Sequence, residues 1–417
     1  MKTDCIVIGG GAAGMFAAGT AASAGVSVLL VEKNEKLGKK LYITGKGRCN
    51  VTNNCAAHEA LRQVPRNPRF LKPCMNVFPP ARTMAFFEGE GVPLKVERGE
   101  RVFPCSDHAS DIIAALRRFC ERSGVQFVRG AAAELLASDG AMTGVRLKDG
   151  TVLEAGRVIL ATGGCSYPLT GSDGGGYRLA AQLGHSIVPP VGSLVPLEED
   201  GDWCAQLQGL SLRNIAIRLK DENGKRVYDD FGELLFTHFG VSGPTILSAS
   251  AHMQEPHRYT LYIDLKPALD EGTLDSRMLR DFQKYQNKNA YNALVDLYPR
   301  SLIPVMLRRA GIEQTQKVNA VTRQQRHTLL ELTKSFPVAI RGKRPVEEAI
   351  ITSGGVEVRE VNSHTMESRL VEGLHFAGEI LDVDAYTGGF NLQIAWATGW
   401  AAGRAVAGLP LADKEET

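Results

Sequence analysis

One stretch near the start limits the fold more than any other. Residues 4–8, Asp-Cys-Ile-Val-Ile, read as a buried parallel strand. Gly9-Gly10-Gly11-Ala12-Ala13-Gly14 follows at once and fits G-x-G-x-x-G through Gly9, Gly11 and Gly14. Residues 15–24 read as a small-residue helix and 26–31 as a second strand, which ends on Glu32, 18 residues after Gly14. In such a unit the first glycine permits a tight turn, the second lets a pyrophosphate approach the backbone, and the third lets helix and strand pack closely. The helix N-terminus offers free N–H groups and a positive dipole to phosphates. Glu32 can accept hydrogen bonds from both ribose hydroxyls and repels a 2′-phosphate. The order of parts predicts a Rossmann-like unit that binds FAD or NAD.

The same stretch carries no charge from residue 5 to 31, long enough to span a bilayer. Six of those 27 positions are Gly, however, and the run divides into strand, turn and helix. Lys2 followed by Asp4 is a poor basic leader. Neither a membrane span nor an export signal is expected, and the expected location is cytoplasmic. At roughly 150 residues per domain, 417 residues predict two or three domains. The balance of 48 Lys and Arg against 46 Asp and Glu demands no nucleic-acid or membrane partner, and no aromatic-plus-basic motif is present, so a small-molecule substrate is the expected partner, with neither nucleic acid nor membrane. None of the eight cysteines forms a C-x-x-C pair, so neither a zinc site nor a redox dithiol is signalled, and no metal is expected.

Downstream residues favour FAD over NAD. Residues 124–128 read as a strand whose continuation, 130–133, can pass an adenine, which brings in Ala132. Strands at 142–147 and 151–153 flank the turn signal Asp149-Gly150, and a strand at 157–161 runs into Thr162-Gly163-Gly164. A β-meander returning to an Ala-Thr-Gly-Gly turn is a flavoprotein arrangement. Near the far end, residues 373–379 enter a turn, and Asp382 and Thr387-Gly388-Gly389-Phe390-Asn391-Leu392 precede an apolar helix reaching about Gly403. The start of that helix is expected at the flavin pyrimidine, where its dipole favours negative charge.

The run Leu37-Gly38-Lys39-Lys40-Leu41, followed by Ile43-Thr44-Gly45-Lys46-Gly47-Arg48-Cys49-Asn50-Val51-Thr52-Asn53, resembles the signature of a bacterial FAD-dependent oxidoreductase family. That family includes aminoacetone oxidase and the bile-acid reductase of the 7-dehydroxylation pathway, and many members are labelled NAD(P)/FAD-dependent oxidoreductase. Ala161-Thr162-Gly163-Gly164, Ser166-Tyr167-Pro168, the run from Phe236 to Pro244 and the run from Gly378 to Asp384 match as well, so the resemblance covers essentially the whole chain. It departs at Gly171-Ser172-Asp173-Gly174-Gly175-Gly176-Tyr177, where related sequences carry Thr-Gly-Asp-Gly-Tyr; the acid before Gly176 is missing.

Motifs and resemblance together give the expected cofactor-binding positions. These are Gly9, Gly11, Ala12, Ala13, Gly14, Glu32 and Lys33, then Lys40, Thr44, Gly45, Gly47, Arg48, Cys49, Asn50 and Thr52. Ala132, Ala161, Thr162, Gly163 and Gly164 follow, and then Gly378, Glu379, Asp382, Gly388, Gly389, Phe390, Asn391 and Leu392. Lys46 and Arg48 are expected to bring positive charge towards phosphate or reduced flavin. Cys49 has no partner at redox spacing and is expected to pack passively.

Because the two cofactor-binding stretches lie at opposite ends, the middle must be an insertion. The expected fold class is α/β: a Rossmann-like FAD-binding domain built from both chain ends, 1–190 and 345–417, with an inserted β-barrel-like plus helical region. Alternating patterns and the Asn223-Gly224 turn give a β-rich substrate domain at 191–269, and 270–344 reads as a helical subdomain. The insertion is expected to cover the flavin. Residues 270–345 hold 14 Lys/Arg against 7 Asp/Glu, read as a solvated face.

Only one dinucleotide fingerprint is present, so either NADH or NADPH, the candidate electron donor, docks transiently at the substrate face, or the substrate itself is the donor and oxygen the acceptor. The leading expectation is an FAD-dependent oxidoreductase of a small organic substrate, an NAD(P)H-dependent reductase of an activated C=C bond such as a steroid-like enone. Such a reaction needs a proton donor, and Tyr167, His238 and Tyr386 are the polar candidates. His238 also reads as a hydrogen-bonded core histidine. Two alternatives stand beside this: an amine oxidase of the aminoacetone oxidase kind, giving hydrogen peroxide, and a flavin-binding protein without turnover.

Overall fold

The computed structural model describes residues 2–254 and 257–411. Residues 1 and 412–417, assigned above to the nucleotide-binding domain, and 255–256, assigned to the β-rich domain, lie outside the described residues. The chain divides into two compact units, Met1–Ser193 with Val346–Thr417, and Leu194–Pro345.

The first unit is built on five parallel strands in the order Leu374–Phe376, Arg157–Leu160, Cys5–Ile8, Val28–Glu32, Gln126–Arg129. Cys5–Ile8 is buried at every position, as a central parallel strand with both faces covered must be. Its Cys5 lies opposite Val28 on one side and Arg157 on the other, and Val158 in turn lies opposite Leu374. One sheet thus joins both ends of the chain.

Helix Ala12–Ser23 is apolar nearly all round and buries ten residues, so it is a core helix. The C-terminal helix, Phe390–Val406, packs on it through glycines. A Cβ added at Gly399 would lie 2.8 Å from Ala13 O, and one at Gly403 2.7 Å from Ala17 O. Side chains larger than hydrogen would push these backbones apart. Around the crossing, Phe16, Phe78, Phe86, Phe87 and Trp396 meet edge to face at centroid distances of 4.8–5.7 Å. Burying each such ring is worth about 1.5–3 kcal/mol before the cost of ordering it.

A three-stranded antiparallel sheet follows the fifth strand's position in sequence: Ala132–Ser138, Ala141–Leu147 and Val152–Glu154. The predicted turn is present, with Gly150 at φ +88° and Asp149 Oδ1 accepting from Thr151 N at 2.9 Å. Strands Ile187–Ser193 and Ile351–Val356 form an antiparallel ribbon whose register shifts between Val188 and Val191, at Pro189-Pro190, where two ladder donors are missing.

The second unit is a closed six-stranded barrel in the order Leu197–Glu199, Gly240–Ser242, Arg226–Phe236, Ser211–Asp221, Tyr259–Asp264, Phe336–Lys343. Tyr259–Asp264 alternates buried and half-buried positions, the pattern of a barrel wall. The interval 270–344 is not a separate helical body. Phe336–Lys343 lies inside it and closes the barrel, with Phe336, Val338 and Ile340 turned inward. Leu274, Met278, Met306 and Leu329 of its helices share one core with Ile263 and Phe336. Helices Glu271–Lys284 and Arg323–Lys334 are amphipathic and cannot bury their apolar stripes without the barrel.

Candidate functional site

The first unit contains a cavity of about 260 Å³ lined by Ile8–Ala13, the end of the second strand, 39–41 and Thr44, 130–132, Lys148, 161–163, 170–173, 175–176, 178–179 and 377–379, with Ile350, Ile351, Asn391, Leu392 and Ala395. Every lining residue belongs to that unit.

The glycine turn explains one wall. Gly9 has φ +109°, and a Cβ on it would lie 2.4 Å from Ala161 O. A Cβ on Gly14 would lie 1.8 Å from Gly9 O, so only glycine lets the helix start this close to the strand. Gly11 differs: a Cβ there meets nothing within 4 Å, because its open side faces the cavity. Gly11 caps helix Ala12–Ser23 without any side-chain hydrogen bond, and no acid lies in the first turn. The free N–H groups of that turn therefore remain for an anionic ligand.

Glu32 ends the second strand with its carboxylate on the wall. Oε2 accepts from Gly10 N at 2.7 Å; Oε1 accepts from Asn34 N at 2.7 Å and Asn34 Nδ2 at 2.8 Å. These bonds fix the carboxylate and leave a lone pair on Oε2 for a ribose hydroxyl. The wall carries five basic side chains, Lys33, Lys39, Lys40, Lys148 and Arg178, against three acids, Glu32, Asp173 and Glu379. That balance suits a pyrophosphate. Lys40 Nζ donates to Glu379 Oε2 at 2.6 Å and Ser166 Oγ at 2.7 Å, while Glu379 Oε1 accepts from Ser166 Oγ at 3.0 Å and Thr352 N at 3.0 Å. Thr162 lines the wall, but its Oγ1 is turned from the cavity and buried against Gly176 without a partner. At the far side the C-terminal helix presents Asn391, Leu392 and Ala395. Asn391 is held by a reciprocal pair with Ala385, accepting from its N at 2.8 Å and donating to its O at 2.7 Å. A glycine cradle, an uncapped helix start and a fixed ribose acceptor together fit a dinucleotide of the FAD kind.

The structure brings to this cavity Gly9, Gly11, Ala12, Ala13, Glu32, Lys33, Lys40, Thr44, Ala132, Ala161, Thr162, Gly163, Gly378, Glu379, Asn391 and Leu392. The other expected residues lie elsewhere. Arg48 does not turn its charge to the cavity: its guanidinium meets Glu97 at 2.5 Å and Asp107 at 2.6 Å and stacks on Phe103 at 4.2 Å. Lys46 is exposed, and Gly45 and Gly47 turn the chain at φ +57° and +86°. Cys49 is fully buried at φ +60°, and burial pushes its thiol up to about 12, so it is held as the unreactive thiol. Asn50 keeps a buried Oδ1 without a partner.

Thr52 serves the C-terminal helix instead. Its Oγ1 donates to Gln393 Oε1 at 2.7 Å, Thr83 Oγ1 does the same at 2.7 Å, and Gln393 Nε2 donates to Phe78 O at 2.8 Å. Trp396 Nε1 donates to Val51 O at 2.9 Å. A Cβ on Gly389 would lie 2.3 Å from Thr52 O, and Gly388 O accepts from Asn53 Nδ2 at 3.2 Å. The second half of the signature run is thus a clamp that seats the helix whose first turn lines the cavity. Gly164 packs on Thr352, and Phe390 is buried beside Gly388. Asp382 is engaged by Arg66 and by Asn67 Nδ2 at 3.0 Å; burial raises its pKa in spite of the guanidinium.

None of the three expected proton donors lies on the cavity wall. Tyr167 is half-buried at φ +53°, and burial raises its phenol. Tyr386 is half-buried, its N donating to Gln63 O at 2.9 Å. His238 belongs to the barrel unit and is exposed on the turn before Gly240, not a core histidine. Sequence reasoning passed over Lys39, Lys148, Ser172, Asp173, Arg178, Ile350 and Ile351. Asp173 and Arg178 stood beside the noted departure at Gly175, which was the available signal; Lys148 and the two isoleucines stand in no motif.

The chain matches the family described as HI0933-like protein Rossmann domain over residues 3–405. It belongs to that family. The family is one of FAD-dependent oxidoreductases, so the chain is a flavoprotein. A 3-dehydro-bile acid delta(4,6)-reductase of Clostridium scindens is 33% identical over 97% of this chain and 99% of the relative. A ribosomal RNA dihydrouridine synthase of Escherichia coli is 32% identical over 96% of this chain and 97% of the relative; one of Haemophilus influenzae is 30% identical over 96% and 97%. Among solved structures, a 3-ketosteroid delta1-dehydrogenase of Sterolibacterium denitrificans aligns with TM-score 0.53 and 14% identity over 98% of this chain and 99% of that one, a likeness of fold. Among the described residues no helix is long and apolar enough to cross a membrane, and no group of side chains is arranged to hold a metal.

Proposed function

We propose that this protein is an FAD-dependent reductase that saturates a carbon–carbon double bond conjugated to a carbonyl, with NADH or NADPH as electron donor. The observation that carries this reading is the transformation shared by two differently named relatives. A delta(4,6)-reductase of a 3-oxo bile acid and a dihydrouridine synthase both name the saturation of a C=C bond next to a C=O group. Two substrates so unlike in size share only that reacting unit, so the unit is what a common site would recognise.

FAD, when bound, supplies hydride exchange at its N5. The chain's own part is to hold the cofactor and to manage the proton. Helix Ala12–Ser23 and Gly11 would take the pyrophosphate, Glu32 the ribose, and Lys40, Glu379 and Asn391 the remainder. The carbon next to the carbonyl must gain a proton, and Tyr167 is the donor we propose first. It stands first for its place in the Ser166-Tyr167-Pro168 match and not for its acidity, since burial raises the phenol and makes it a weaker acid than an ordinary tyrosine. Tyr386 and His238 are the alternatives. Among the described residues one sheet carries a dinucleotide cradle, which supports transient docking of the nicotinamide.

The substrate class has two readings. A small enone, such as a 3-oxo-4-ene steroid, follows from the bile-acid reductase. A uracil ring in ribosomal RNA follows from the two dihydrouridine synthases. Anaerobic mixing tests the donor: NADH or NADPH should bleach the oxidised flavin band. Adding a 3-oxo-4-ene steroid or a uridine-bearing ribosomal RNA to the bleached protein should then restore the band with the matching substrate. Bleaching by a primary amine alone, with none by either nicotinamide, would replace the reductase by an amine oxidase.

A further inference from the structure

The departure at Gly171–Tyr177 leaves the loop before helix Gly175–Gln182 without the expected acid. A different acid there does something the motif does not describe. Asp173 Oδ2 pairs with Lys33 Nζ at 2.8 Å, and Asp173 Oδ1 accepts from Gly175 N at 3.0 Å. Beside it, Asn34 Nδ2 donates to Thr170 O at 3.0 Å across 136 residues of chain. The two segments are in close contact between these bonds: a Cβ on Gly171, at φ +103°, would lie 2.6 Å from Asn34 Nδ2 and 3.1 Å from Lys33 Cε.

All these residues line the cavity. The segment is bounded at both ends by backbone in the left-handed region, Tyr167 at φ +53° and Gly174 at φ +71°; Leu169, just before it, is 91% exposed, while Ser172 within it is buried. A loop that turns sharply at each end, carries an exposed tip and is tied to the end of the second strand by one ion pair and one hydrogen bond, with Gly174 N held by Gly164 O at 3.2 Å at its base, has the build of a strap.

We propose that 170–173 is a strap fastened over the dinucleotide cavity by Lys33 and Asn34, and that its opening limits the exchange of FAD. This rests on the FAD reading of the cavity. The pair is exposed by 36% on Lys33 and 52% on Asp173, so it is a weak, salt-screened fastening. The strap therefore acts on rates of entry and exit more than on the final affinity. Asn34 links it to the ribose acceptor, because the same amide that holds Thr170 O also holds Glu32 Oε1.

The test is the rate of FAD release, followed by the rise of flavin fluorescence on dilution, for the wild type, Lys33→Met, Asp173→Asn and the double variant. FAD uptake by the wild type is measured first; a wild type that takes up none overturns the cavity reading itself, and the strap with it. With uptake established, each single variant should release FAD about three- to fivefold faster, and take it up faster as well. The double variant should be no faster than the faster single, since either change unfastens the same bond. Molar NaCl should speed wild-type release towards the rate of the variants and leave the variants nearly unchanged. Release rates equal to wild type overturn the proposal. So do effects of the two substitutions that multiply, which would mean that Lys33 and Asp173 act separately on the cofactor.

Discussion

Replacing Gln393 by Leu removes the centre of a buried network without changing the size of the side chain much. Gln393 is fully buried; its Oε1 takes the hydroxyls of Thr52 and Thr83, both at 2.7 Å, and its Nε2 serves Phe78 O at 2.8 Å. The variant leaves two hydroxyl donors and one carbonyl without partners in the core. Each such group costs about 1–3 kcal/mol, and hydroxyls can rotate to weaker acceptors, so a total of about 3–5 kcal/mol is expected. In a unit of this size that lowers the melting temperature by about 6–15 °C. The network also seats the helix whose Asn391 and Leu392 line the cavity, so FAD affinity should fall with stability. Thr52→Val, which removes one donor and keeps the shape, should cost about 1 kcal/mol. Thermal unfolding and FAD titration of both variants check this. A Gln393→Leu protein that melts with the wild type and binds FAD equally well would refute the clamp.

Three further outcomes follow from single sites. Gly14→Ala places a Cβ 1.8 Å from Gly9 O, so it should destabilise the first unit by about 1–3 kcal/mol or more in thermal unfolding. Cys49, buried with its thiol pushed up to about 12, should resist iodoacetamide in the native protein while exposed Cys105 reacts, as read by mass spectrometry of labelled peptides. His185 donates or accepts at Glu360 (3.0 Å) and Ser368 (2.8 Å), and burial lowers its pKa below the ordinary 6.5. The unfolded chain then binds the proton more readily. Its contribution to stability is full above pH 6.5 and is lost as pH falls from there to the depressed folded value, and a His185→Gln variant should show a shallower slope in that window in urea titrations.

How far the sequence could be read depended on the range of the interaction. The strand, glycine turn, helix and Glu32 lie within one short stretch, and each part has a local physical signature. The discontinuous domain was legible because two nucleotide-type stretches at opposite ends must come together to share one cavity; they do so in one sheet, with Arg157–Leu160 between Cys5–Ile8 and Leu374–Phe376. The direction of a side chain within a glycine-rich run was not legible. Gly45 and Lys46 both take left-handed conformations, and the resulting turn aims Arg48 at Glu97 and Asp107, 49 and 59 positions away. No local pattern encodes that partner. Strand Phe336–Lys343 was hidden for a related reason: its buried alternation follows a long helical stretch, and its barrel neighbours, Tyr259–Asp264 and Leu197–Glu199, are far back in the chain. Ile351 and Lys148 reach the cavity from segments with no motif at all.

The central claim is that the first unit holds FAD with its pyrophosphate at Gly11, and Gly11→Asp tests it most directly. Position 11 has φ −85° and open space around it, and an aspartate is a favourable helix N-cap, so folding should be unharmed. The new carboxylate would stand where the pyrophosphate belongs. Equilibrium binding of FAD to purified wild type and variant, beside their melting curves without cofactor, should show one FAD per wild-type chain and none on a variant that melts at the same temperature or higher. A variant that still takes up one FAD per chain with unchanged affinity would contradict the account.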